Sequence, residues 1–127
     1  KRQALDPSAD DRLSAKTENA VLEFLRAGPE LSVDALVRLY APDLTLPAFS
    51  LLVSRWAHDL MRSALGLQPR YFIDENAAIE RLASHTDAKR AAGFCTQALS
   101  CRRAADHTLN PKQTVESVLL RYKQIFQ

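Results

Sequence analysis

Apolar positions recur along most of this chain at spacings of three and four, the period of a helix face. Strict apolar/polar alternation is nowhere sustained long enough for a strand. "TENAVLEFLRA", residues 17–27, puts Ala20, Val21, Phe24 and Leu25 on one stripe, and Gly28–Pro29 predicts where that helix stops. Ser32 can cap a short second helix, "VDALVRLY", which Pro42 ends. Thr45 and Pro47 open the longest apolar segment, which runs to Gly66. Its stripe of Phe49, Leu52, Val53, Trp56, Leu60, Met61 and Ala64 predicts a central helix. Arg55, Asp59 and Arg62 fall on the opposite face, spaced to pair along the surface.

After "LQPRYFID", Asp74 is the expected N-cap of a short helix bearing Ile79, Leu82 and Ala83, with Ile73 and Ala78 as a small staple. Thr86 or Asp87 caps the next helix. Its face holds Ala91, Phe94, Cys95, Ala98, Leu99 and Arg102, and it extends to about Ala105. The last helix is specified most fully, by Asn110 as cap, Pro111 at the first turn and Gln113 at the third helical position. Val115, Val118, Leu119, Tyr122, Ile125 and Phe126 form its apolar seam. The expected fold is all-α, a compact bundle of five to six antiparallel helices forming a single domain over residues 1–127, with residues 1–13 irregular. The start at Lys1 instead of methionine suggests a C-terminal piece of a longer protein.

Composition changes this picture little. Apolar residues make up 46% and charged residues 25% of the 127, a globular balance, and a chain of this size can bury roughly two thirds of its unfolded surface. Seventeen basic and fifteen acidic side chains leave a net charge of +2, too little for a general pull toward phosphate or anionic lipid. No apolar run reaches the length of a membrane span, and no signal-peptide pattern opens the chain. Cys95 and Cys101, on one helix, would lie about 9 Å apart along its axis, too far for a bridge. Reduced thiols suit a cytoplasmic protein.

Candidate chemistry is sparse. His58, His85 and His107 lack metal spacing, and no glycine-rich phosphate loop or nucleophile elbow is present, so no metal or cofactor is expected. His58 and Asp59 are adjacent on a helix and point about 100° apart, which argues against a catalytic pair and for a solvated surface. The one enzymatic pattern is Arg102, four residues, then His107. It resembles the RxxxxH motif of HEPN ribonucleases, in which guanidinium would hold a phosphate and imidazole would move a proton. Lys89, Arg90, Arg102 and Arg103 make mild basic clusters with no aromatic interleaved to stack on bases.

Three segments carry a different likeness: "LVSRWAHDLMRSALG", "RYFIDENAAIERLA" and "CRRAADHTLNPKQTVESVLLRY". Trp56 and Asp59, then Leu65–Gly66, then Asn110–Pro111 leading to Glu116, Leu119 and Leu120, resemble the C-terminal helical domain of the bacterial DNA polymerase III delta prime subunit family. The likeness spans residues 30–127, whereas "LDPSADDRLSAKTEN" is more polar than that family's domain. The resemblance implies a clamp-loader collar domain without an active site. Its partners would be the delta and gamma or tau subunits, with no membrane and no small-molecule substrate, and with DNA touched indirectly if at all. On residue type, Arg62, Arg102, Arg103, Arg121 and Tyr122 are the expected contact residues.

Overall fold

The structure, a computed structural model, describes residues 14–32, 34–35, 44–103 and 110–127, with backbone only at 102–103. It is all-α: among the described residues there are five helices and no strand. Helix α1 is Ala15–Ala27, α2 Leu46–Ala64, α3 Asn76–Ala83, α4 Ala88–Arg103 and α5 Pro111–Gln124, with 3₁₀ turns at Gly28–Glu30 and Ile73–Glu75. The helix expected over 33–40 lies almost wholly outside the described residues, as do residues 1–13.

Short polar side chains set the helix starts. Ser14 caps α1 by accepting from Thr17 N–H, three residues before the segment where periodicity becomes visible begins. Thr45 Oγ1 accepts from Ala48 N–H at 3.3 Å, Asp87 Oδ1 from Arg90 N–H at 2.8 Å, and Asn110 Oδ1 from Gln113 N–H at 3.0 Å. Of the two candidates for α4 it is Asp87 that caps, while the Thr86 hydroxyl donates to Ile125 C=O at the end of α5. Gly28 ends α1 with φ +56°, and its N–H returns to Leu25 C=O.

The α3 start corrects the expectation. Asp74 caps nothing. Ile73–Glu75 wind as a 3₁₀ turn, Glu75 occupies the cap position without a side-chain cap bond, and Ile73 is solvent-exposed, so there is no staple. The reason is long-range: both Glu75 carboxylate oxygens receive the Arg26 guanidinium, at 2.8 and 3.0 Å, which fixes the turn against α1 instead of freeing a cap.

The core gathers on α2. Phe49, Val53, Trp56, Ala57 and Leu60 are fully buried there, facing Val21 and Leu25 of α1, Ile79 and Leu82 of α3, and Leu119 and Tyr122 of α5. The broadest helix contact is between α2 and α4, and both helices carry buried small residues, Ser50, Ser54 and Ala57 on α2 and Ala91 and Ala98 on α4. Small side chains let the two backbones approach. Cys95 Sγ–H reaches Ser54 C=O at 3.3 Å across this seam, whereas Leu99, expected on the buried face, is exposed.

One polar relay runs through the core. Trp56 Nε1–H donates to the Tyr122 hydroxyl at 2.9 Å, and that hydroxyl donates to Leu25 C=O. Three helices are joined by two bonds that water cannot reach. Burial drives the Tyr122 phenol well above its ordinary range, opposed by the Trp56 hydrogen bond, so the hydroxyl keeps its proton and can donate. Tyr122, expected as a contact residue, is therefore a core residue.

Candidate functional site

The segment that follows α2 is the most unusual part of the molecule, and its cause is Asp59. Periodicity places this residue on the outer face of α2, between Arg55 and Arg62. The chain after Gly66 folds back over that face, and Asp59 becomes fully buried. Its carboxylate receives three consecutive backbone N–H groups: Arg70 at 2.8 Å on Oδ1, Tyr71 at 3.0 Å on Oδ2, and Phe72 at 2.8 Å on Oδ2. Asp59 does not form the expected surface ion pairs with Arg55 and Arg62.

The physical logic is that of a buried anion whose lone pairs are filled. A carboxylate removed from water is tolerated when donors replace its hydration, and bonds to a charged acceptor are stronger than neutral ones. Three successive N–H groups can converge on one carboxylate only if the backbone curls around it, so Asp59 dictates the path of residues 70–72. Gly66 starts the reversal with φ +83°, and Leu67 N–H bonds back to Arg62 C=O at 2.8 Å. Arg62 Nε–H then donates to Gln68 C=O at 2.7 Å and pins the outgoing limb of the reversal.

His58 joins this arrangement despite its sequence adjacency. Its Nδ1 lies 3.8 Å from Asp59 Oδ1, beyond hydrogen-bond reach, and is buried without a partner among the described residues. The two side chains thus make no hydrogen-bonded pair, and the imidazole is half-buried rather than fully solvated. The imidazole instead meets the Tyr71 ring edge-on, with centroids 5.5 Å apart.

What the fixed backbone presents outward is Tyr71. The Arg55 guanidinium carbon lies 5.2 Å from its ring centroid and that of Arg70 lies 5.7 Å away. Both distances are within cation–π range. The same connector exposes Leu65, Leu67 and Ile73, so four of the six exposed large hydrophobic side chains among the described residues lie between 65 and 73. Their exposure runs from 44% at Tyr71 to 68% at Ile73, enough to distinguish this corner from the ordinary scatter of surface apolar atoms.

A concavity of about 820 Å³ lies between α4 and α5 and is lined by Phe94, Gln97, Cys101, Ser117, Val118 and Arg121 among others. Burial raises the Cys101 thiol above its usual range, against the pull of Arg121. Such a thiol is a poor nucleophile. Cys95 is likewise raised by burial, and both cysteines are free.

Of the expected site residues, Arg62 is half-buried at the reversal, Arg121 is exposed on α5 and Tyr122 is internal. The side chains of Arg102 and Arg103, and all of His107, lie outside the described residues, so the RxxxxH pair has no geometry here. No group of three histidine, cysteine or carboxylate residues is placed to hold a metal among the described residues, and no described helix is long and apolar enough to cross a membrane. No local pattern announces the Arg55–Tyr71–Arg70 cluster, because sixteen positions separate its first two members. Comparison with family models, curated proteins and solved structures returned no match.

Proposed function

We propose that this chain is an association domain without catalysis of its own: the collar-type helical domain of a delta prime-like clamp-loader subunit. In this reading it packs beside delta and gamma or tau and helps assemble the ring that loads the sliding clamp during replication. The observation that carries the reading is what the resemblance residues do. Trp56 anchors the core relay, Asp59 shapes the corner, Leu65–Gly66 turn the chain, and Asn110–Pro111 start α5. Each is architectural, as expected of a motif that marks a building block.

The exposed surface supports the same reading. Tyrosine, arginine and apolar side chains concentrated on one rigid corner are the composition of an interface centre. Size-exclusion chromatography of the chain mixed with purified gamma and delta subunits tests it. A co-eluting complex is expected; separate elution at concentrations well above micromolar would remove the proposal.

A further inference from the structure

From the Arg55–Tyr71–Arg70 geometry we infer that this corner receives a carboxylate-bearing, partly apolar segment of a partner protein. The inference deepens the association reading and rests on it.

A guanidinium near an aromatic face uses its flat surface for that contact, and its N–H edges stay free to fork onto a planar anion. Arg55 and Arg70 are in this state: among the described residues neither side chain makes a hydrogen bond or ion pair, and both lie over Tyr71. Two of the carboxylates close by are engaged elsewhere, whereas Glu18 and Asp74 line the adjoining groove without pairing with either arginine. Asp59 is buried beneath three backbone donors, and Glu75 is held by Arg26. The corner thus offers two guanidinium groups with unfilled donors beside a tyrosine whose backbone is held by Asp59.

The surroundings separate a protein from a nucleic acid. Leu65, Leu67 and Ile73 supply apolar contact area beside the forks, which suits alternating acidic and apolar side chains. The adjoining groove, lined by Arg55, Tyr71 and Ile73, is lined also by Glu18 and Asp74. A phosphodiester chain laid across it would meet both signs of charge, whereas a discrete acidic side chain can be placed on the arginines alone.

The test is the double charge reversal R55E/R70E, assayed by titration calorimetry against the purified gamma and delta subunits at low and high salt. A loss of about tenfold or more in affinity is expected, with wild-type binding weakening as salt rises and the variant losing that dependence. The melting temperature should match wild type, because neither side chain holds the fold together. If the reversal perturbs folding, R55Q/R70Q serves in its place. A complex that forms equally well with either variant overturns this inference while leaving the association reading standing. Absence of any wild-type complex overturns both. Unchanged subunit affinity together with lost binding of a single-stranded oligonucleotide would reassign the corner to nucleic acid.

Discussion

Two buried polar devices hold this molecule, and they differ in what surrounds them. The Trp56–Tyr122–Leu25 relay sits at the centre, where three helices converge and water has no access. The Asp59 carboxylate is as deeply buried, but its donors belong to a connector whose other side faces solvent. A defect in the relay has nowhere to go, so its cost is spread over the whole fold. A defect at Asp59 can be relieved by lifting residues 70–72 into water, so its cost is local opening. Both devices contribute to stability; the corner device in addition sets the shape of a surface.

Substitutions can pull the two apart. The largest effect is expected at Asp59→Asn, where an amide N–H₂ replaces an acceptor facing three N–H donors. A loss of about 3 kcal/mol in chemical denaturation is expected, with a lowered m-value if the connector is already open before global unfolding. Gly28→Ala should cost nearly as much, about 2–3 kcal/mol by the same method. An alanine there adopts a left-handed φ, and its Cβ would come within 2.3 Å of Leu82 Cδ2 in the packed interior. The matched change at the corner, Gly66→Ala, meets nothing within 4 Å and should cost only about 1 kcal/mol.

Tyr122→Phe removes both relay bonds while keeping the ring. About 2 kcal/mol is expected, with the m-value unchanged because the loss is global. Its contrast with Asp59→Asn in m-value, more than in magnitude, separates core from corner.

The smallest effect belongs to the Arg26–Glu75 pair. Hydrogen bonding from Arg26 holds the Glu75 carboxyl below its ordinary range, opposed by partial burial, and raises the guanidinium correspondingly. A depressed carboxylate contributes stability above its unfolded-state pKa and loses it as pH falls through the lower folded value. Thermal melts should therefore show a modest acid-side decline that Glu75→Gln flattens, at a neutral-pH cost of about 0.5 kcal/mol for a partly exposed pair.

Helix existence and most ends were legible because their causes are local. Asn110, Thr45 and Asp87 cap within three residues, and the seams of α2 and α5 repeat at helical spacing. The corner was not legible, because its causes cross the chain. Helical spacing alone makes Asp59 a surface residue between two arginines, and nothing near it announces that Arg70, Tyr71 and Phe72 will return their N–H groups to it. The start of α3 escaped for the same reason. Asp74 is the better cap by type, yet Arg26, forty-nine positions from Glu75, decides the turn.

Amide hydrogen exchange at Arg70, Tyr71 and Phe72, compared between wild type and Asp59→Asn, bears most directly on the idea that this surface is built from beneath. Slow exchange at all three sites in wild type, speeding by orders of magnitude in the variant while the Leu60 amide in α2 stays protected, is the expected outcome. Fast exchange at these three amides in the wild-type protein would contradict it.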